Sequence, residues 1–425
     1  MTTLAVLHAA QLVTLAGPNR PRVGNELSEL GIIRDGGMLI RDGKIEAVGS
    51  SDEIERGLTD LIGQVANGSP EIQVVDAGGR VVLPGFVDAH THIVFGGNRL
   101  DDYERRARGE TYQQIAAAGG GILSTVRATR AASEAELLKQ AQERARWFLE
   151  GGTTTIEAKS GYGLTVEDEL KILRVIKALS ETTALQCIPT FLGAHAIPPE
   201  HNEQSYEDLI VREMLPAVAR EKLAEYADIF CEQGYFSVEQ SRRILTAAKK
   251  AGLKLRLHVD QLTNSGGAAL AAELQSATAD HLEKTETAGI SALSKANVQP
   301  VLLPGSVYAL GLQYYPRARE MIDAGLAVVL ATDFNPGSSP ITSMPMVFSL
   351  ACTQMKMSPA EALVAGTINA ACSLGRGDQI GSLESGKLAN FSIFDHEDYR
   401  ELAYWLGVPR TKEVYVRGEC VVVDG

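Results

Sequence analysis

Apolar runs recur through the middle of the chain with room for a helix between most of them. The first spans Val81 to Val87. After it come runs at Thr153–Ile156, Leu185–Ile188, Ala227–Phe230, Leu253–Leu257, Ser276–Ala279, Val298–Leu303 and Leu326–Leu330, which makes eight. Helix-start signals stand between several of them. Ser133 with Glu136 opens Leu137 to Glu150, and Gly151-Gly152 closes it. Thr165 with Asp168 opens Glu169 to Leu179, and Ser237 with Gln240 opens a helix that stops at Gly252. In each, a hydroxyl takes an orphan backbone N–H and the residue three positions on reaches back. Ser358-Pro359 with Glu361 predicts a later helix with Pro in its first turn. Strand and helix alternating eight times predicts an α/β fold, a (β/α)8 TIM-like barrel. The rival is an open doubly wound sheet. No Gly-x-Gly-x-x-Gly follows the first strand, which removes the commonest reason to prefer it.

The two ends of the chain read differently. Gly37–Arg41 and Lys44–Val48 flank Asp42-Gly43, a strong hairpin signal because a type I′ turn needs positive φ. Asn390–Phe394 is strand-like, and Glu413–Val416 turns at Arg417-Gly418 into Glu419–Val423. These runs predict one small β-sandwich built from both termini, residues 1–80 with 376–425. The catalytic barrel, 81–375, would be inserted between them.

Composition narrows the function. The chain has 425 residues, 45% hydrophobic and 22% charged, ordinary for a globular protein. Its 53 acidic and 40 basic residues give a net charge of −13, which argues against a nucleic-acid surface and an anionic membrane. The five cysteines, Cys187, Cys231, Cys352, Cys372 and Cys420, are scattered and lack CxxC spacing, which fits a reducing cytoplasm. No basic-then-apolar leader opens the chain, and no run of about 18 apolar residues marks a membrane span. A cytoplasmic location with no nucleic-acid or membrane partner is expected.

The chemistry gathers at the strand ends, where a barrel keeps its active site. His90 and His92 end the first run. Residues i and i+2 of a strand share a face, so the pair aims two imidazoles at one point. The second run ends in Lys159-Ser160-Gly161-Tyr162-Gly163, the third in His195, the fourth in Cys231-Glu232, the fifth in His258-Val259-Asp260-Gln261, the sixth in Asp280-His281 and the eighth in Asp333 to Ser339. Five of the eight histidines thus fall on one rim. A lone His after an apolar run is more often structural. His-x-His with a distant His and a distant Asp is a normal set for one transition metal with an open position.

These residues carry a resemblance. Pro84-Gly85-Phe86-Val87-Asp88-Ala89-His90-Thr91-His92 and Gly381-Ser382-Leu383-Glu384-Ser385-Gly386-Lys387-Leu388-Ala389-Asn390 resemble the metal-dependent amidohydrolase superfamily. Phe95-Gly96-Gly97-Asn98-Arg99, Gly119 to Ile122, Lys159 to Leu164, Gly193 to Ala196 and Thr332 to Gly337 are similar to one branch of it. That branch opens the ring amide of 4-imidazolone-5-propanoate to N-formimidoyl-L-glutamate in histidine degradation. The match spans nearly the whole chain.

The resemblance implies one zinc or iron(III) ion per subunit, held by His90, His92, His258 and Asp333. It implies a small-molecule substrate with a propionate arm, and it allows a homodimer, for which the sequence shows no interface. Asp333 would carry a proton from water to the leaving nitrogen, or serve only as a ligand. His281 would meet the developing oxyanion, share in proton transfer, or ligate a second metal. A second metal would want a carboxylated Lys, which Lys159 offers; the branch uses that loop for substrate contact instead. Arg99 would bind the propionate, against the plainer reading of a surface ion pair with Asp101, Asp102 or Glu104. Tyr112, Tyr162, His195, Asn335, Gly337 and Ser338 would contact substrate or product. Gln261 departs from the Glu that some members carry three residues after the metal His; an amide cannot act as base but can hydrogen-bond the ring. Asp260, next to it, should point away. Two other readings stay open. A ring deaminase of the cytosine or guanine type shares the ligands, but a nucleobase has no carboxylate for Arg99. A metal-binding scaffold without activity is disfavoured by the intact ligand set.

Overall fold

The computed structural model describes residues 3–64, 72–111, 114–115 and 118–423. The chain forms two compact units, Met1–Ala89 with Trp147–Thr155 and Ser343–Gly425, and His90–Arg146 with Ile156–Thr342.

In the first unit, strands from both termini share one sheet. Its order is Glu419–Val423, Thr411–Val416, Phe391–Phe394, Val81–Pro84, Gln11–Val13 and Ile32–Ile33. A four-stranded sheet runs Lys44–Ser50, Gly36–Arg41, Thr3–Ala9 and Ile72–Asp76. Both predicted hairpins form. Asp42 and Gly43 turn with φ +48° and +78°, and Arg417 and Gly418 with +51° and +73°, the left-handed pairs a type I′ turn requires. Leu4, Val6, Met38 and Ile40 of one sheet share a buried core with Leu12, Val82, Phe391 and Tyr415 of the other. This is the expected sandwich.

One expectation needs correcting. Val81 to Val87 reads as a single barrel strand. The chain divides it at Pro84-Gly85, so that Val81–Pro84 pairs with Phe391–Phe394 and only Phe86–Thr91 enters the barrel sheet. Proline has no N–H to continue a ladder. At Gly85 a Cβ would meet Thr154 Oγ1 at 2.4 Å.

The barrel strands follow chain order: Phe86–Thr91, Thr153–Lys159, Gln186–Ala194, Tyr226–Cys231, His258–Val259, Thr278–His281, Gln299–Leu302 and Val329–Leu330. The paired registers from the third strand onward are parallel, and Lys254–Leu255 adds a short piece before the fifth strand. A parallel bridge between Thr91 and Phe334 brings the chain after the eighth strand against the first. The helices start where the caps predict. Thr165, Ser237 and Ser358 side chains accept from Asp168, Gln240 and Glu361 N–H groups, opening Val166–Thr182, Val238–Lys250 and Pro359–Ala365. Ser133 and Glu136 exchange hydrogen bonds at the start of Glu134–Glu150.

Phe391 stacks on Tyr415 with ring centroids 4.4 Å apart at 6°. Phe391→Ala is expected to destabilise the protein by about 3–5 kcal/mol, read as a lower urea midpoint. A loss under about 1 kcal/mol would mean that this core closes over the gap.

Candidate metal centre and substrate pocket

Strand alternation explains what lines the barrel interior. Asp88, His90 and His92 are spaced i, i+2, as are Glu157 and Lys159, Arg256 and His258, and all are buried. Register then sets their height. His258 pairs with Asp280 and Phe230, and His281 with Val259.

The rings converge. Centroids lie 4.4 Å apart for His90 and His258, 5.4 Å for His90 and His92, and 5.3 Å for His258 and His281. Asp333 Oδ1 stands 3.5 Å from His90 Nε2 and 3.6 Å from His92 Nε2. One ligand atom from each of His90, His92 and Asp333 lies within 4.8 Å of the others, and the same holds for His90, His258 and His281. The four residues expected to hold a metal are therefore together, and His281 is as close as a ligand.

These residues fit a cation. His258 Nε2 and His92 Nδ1 are buried and take no hydrogen bond from the protein, which is costly unless something else meets them. His90 Nδ1 lies 2.7 Å from Asp280 Oδ2, and His258 Nδ1 lies 3.0 Å from Asp228 Oδ2. An ionised carboxylate only accepts, so the His90 proton sits on Nδ1 and its Nε2 lone pair faces the centre. Burial, with Lys159 next, holds His90 well below the usual histidine range, and burial pushes His92 down to about 4. Neutral rings are the ligand form. His281 moves the other way. Burial opposes its charge, but Glu283, 3.4 Å away, outweighs that and raises it. Burial also works against the Asp333 carboxylate; the nearby His92, His281 and His258 rings overcome it and keep Asp333 below the usual range.

A cavity of about 860 Å³ opens onto this centre. His92, His258, His281 and Asp333 line it, as do Arg99, Tyr162, His195, Gln261, Asn335, Gly337 and Ser338. Arg99 Nε donates to Thr125 Oγ1 at 2.8 Å. Its guanidinium packs on Gly337, where a Cβ would come within 2.6 Å of Nη1, so the glycine makes room for it. Two of the suggested surface partners are engaged elsewhere: Asp102 accepts from the Gly121 N–H and Glu104 pairs with Arg108. Tyr162 sits in a loop wrapped around one carboxylate, with Glu169 accepting from Gly161, Gly163 and Leu164 N–H groups at 3.0, 2.8 and 2.8 Å. His195 Nδ1 lies 3.0 Å from Gly161 O, which places the proton there and makes Nε2 an acceptor. Its ring stacks on His92 at 5.2 Å and 17°.

Two placements differ from the simplest reading. Asn335 folds its own loop. Its Nδ2 donates to Asp333 O at 2.7 Å, and its Oδ1 accepts from the Gly337 and Ser338 N–H groups, both at 2.8 Å. Those N–H groups therefore point at Asn335. Lys159 Nζ is held by Glu157 and Asp228 inside the barrel, which removes it as a bridging ligand. Tyr112 lies outside the described residues. Asp260 points away as expected, but not by alternation, which would place it on the His258 face: the strand ends at Val259, its φ of +52° turns the chain, and it accepts from Ser265, Gly267 and Thr285.

Sequence reasoning gave no role to Asp228, Asp280, Glu157, Arg256 and Glu283. The available signal was a charge inside an apolar strand, as in Ala227-Asp228-Ile229 and Leu255-Arg256-Leu257. Glu232 was also missed; it accepts from the Leu262 N–H at 2.8 Å and from the Thr263 hydroxyl, shaping the loop that carries Gln261. The backbone is strained at this end. Leu164, Asp260, His281, Leu282 and Asp333 have φ of +55°, +52°, +79°, +71° and +54°, each costing roughly 1–3 kcal/mol.

Residues 81–421 match the profile of the amidohydrolase family. The chain is 57% identical over 423 residues to the imidazolonepropionase of Solibacter usitatus (strain Ellin6076), covering 99% of each. It is 46% identical over 428 residues to that of Geobacillus kaustophilus (strain HTA426), covering 100% of this chain and 99% of that protein. Among solved structures, a 5-methylcytosine deaminase from Klebsiella pneumoniae liganded with 5-fluorocytosine superposes with a TM-score of 0.73 at 17% identity, over 99% of this chain and 98% of that one. E. coli guanine deaminase gives 0.70 at 18% identity, over 100% of both. At that identity these structures speak to the fold alone.

Glu169→Ala would leave the N–H groups of the Tyr162 loop without their buried acceptor. It is expected to cost about 3 kcal/mol or more in chemical denaturation while leaving metal content unchanged. Metal loss in a folded variant would mean that the loop also supports the ligands.

Proposed function

The chain belongs to the amidohydrolase family and, within it, to the imidazolonepropionases, and we propose on that premise how its residues divide the work. The enzyme is a hydrolase of carbon–nitrogen bonds in cyclic amides. It converts 4-imidazolone-5-propanoate to N-formimidoyl-L-glutamate in histidine degradation. One observation carries the division of roles: Arg99 and the histidine–Asp333 cluster line the same cavity.

The proposed ligands of one zinc or iron(III) ion per subunit are His90, His92, His258 and Asp333; three nitrogens and one carboxylate suit either metal. When bound, the ion supplies Lewis-acid polarisation of the ring carbonyl and makes water acidic enough to attack near neutral pH. The water oxygen bonds to the carbonyl carbon and the ring C–N bond breaks. Asp333 accepts the water proton and delivers it to the departing nitrogen. His281, kept protonated more readily by Glu283, donates to the developing oxyanion. Arg99 takes the propionate in its planar fork, and Tyr112 and Tyr162 support the same group or the ring. His195 accepts from a ring N–H through Nε2, and Gln261 hydrogen-bonds the ring. Asn335, Gly337 and Ser338 shape the wall beside Asp333 and Arg99. A homodimer in the cytoplasm, with no nucleic-acid or membrane partner, accompanies this reading; among the described residues no helix is long and apolar enough to cross a membrane.

The test is turnover of freshly made 4-imidazolone-5-propanoate by metal-loaded protein, followed by loss of ring ultraviolet absorbance and by an ammonia assay. Absorbance loss with formimidoylglutamate and no ammonia is expected. Ammonia without ring opening would move the chain to the deaminases. Arg99→Met is expected to raise KM by roughly 30-fold or more with metal content intact; a stripped metal would refute the carboxylate role. Asp333→Asn should lower kcat by roughly 10²–10⁴-fold, and near-normal turnover would end its role as proton carrier.

A further inference from the structure

Next to the histidines the barrel interior holds five charged side chains with no exposed surface: Glu157, Lys159, Asp228, Arg256 and Asp280. None borders the cavity. Lys159 Nζ donates to Asp228 Oδ2 at 2.7 Å and to Glu157 Oε1 at 2.8 Å, and it stands 3.8 Å from Asp280 Oδ2. The two aspartate oxygens are the same atoms that face the imidazoles. Asp228 Oδ2 is 3.0 Å from His258 Nδ1, and Asp280 Oδ2 is 2.7 Å from His90 Nδ1. One ammonium thus sits behind both atoms that aim two of the rings. Arg256 approaches Asp280 at 3.7 Å and Glu157 at 3.8 Å, and so backs one of these aspartates at longer range.

We propose that Lys159 is a positioning residue of the metal centre, which holds Asp228 and Asp280 around one ammonium and thereby fixes the spacing of His258 and His90. Two carboxylates in a dry interior repel each other and separate unless a cation lies between them. Asp280 is hydrogen-bonded to the His90 ring and Asp228 stands 3.0 Å from the His258 ring, so a change in their spacing becomes a change in ligand geometry. Partners that orient metal-bound histidines act on the metal in this way, although they never touch it. Lys159 acts one bond further out and on two ligands at once. The inference rests on His90 and His258 being ligands.

The experiment measures zinc affinity by competition with a chromophoric chelator, and the visible spectrum of the cobalt(II)-loaded full chain. Lys159→Met alone would leave an excess of buried negative charge, so it is made together with Glu157→Gln and compared with Glu157→Gln alone. Circular dichroism and the unfolding midpoint establish that both are folded. The expected result is a roughly 10- to 100-fold weaker zinc affinity for the pair, with shifted cobalt bands. Wild-type affinity and spectrum in the folded pair, with affinity lost in His258→Ala, would overturn the role of Lys159 alone. Unchanged affinity in His258→Ala as well would overturn the ligand set, and this role with it. If the Met pair does not fold, Lys159→Gln in the same background keeps an amide NH2 but removes the charge, and it is read by the same criterion.

Discussion

A histidine that is to bind a cation must be neutral and aimed, and inside a barrel a group placed behind its other nitrogen does the aiming. Here carboxylates stand behind two of the three ligand rings, Asp280 at His90 and Asp228 at His258, while Glu283 draws the neighbouring His281 toward its charged form. That choice has a consequence. An ionised carboxylate without solvent costs several kcal/mol, so the barrel must also enclose cations. Lys159 and Arg256, both without exposed surface, are those cations. The centre therefore consists of three groups of residues: the rings, the acids that aim them, and the bases that hold the acids. Without such a base the acids would stand buried and uncompensated.

The backbone is shaped by the same requirement. His281 and Asp333 both adopt positive φ, which few residues with side chains do. An extended strand would send successive side chains to opposite faces. A left-handed residue at the strand end turns the chain, so that Asp333 faces His90 and His92 while its own carbonyl accepts from Asn335. Parallel registers supply the rest of the precision. The pairing of His258 with Asp280 sets neighbouring strands so that the acid on one reaches the ring of His90, 190 residues earlier in the chain.

Much of this was legible in the sequence, and what was legible was local. His-x-His declares its geometry through a spacing of two, caps through a spacing of three, and Asp-Gly through its turn. The barrel followed from counting such units. Pairings between distant strands were not legible. Nothing near Asp228 indicates that Lys159, 69 residues earlier, will meet it; the sequence shows only a charge where an apolar residue is usual. Pro84-Gly85 was misread for a different reason. The apolar run continues across it, and hydropathy outweighed the missing N–H. Asn335 looked like a ligand-binding amide because its sequence context was a turn, and a turn uses such an amide for itself.

Fold and ligands do not choose the reaction. Solved deaminases share the architecture over nearly the whole chain at 17–18% identity. What separates ring opening from ammonia release is the remainder of the cavity. A nucleobase is flat and carries no carboxylate, whereas this cavity includes a guanidinium packed against a glycine that leaves space for it.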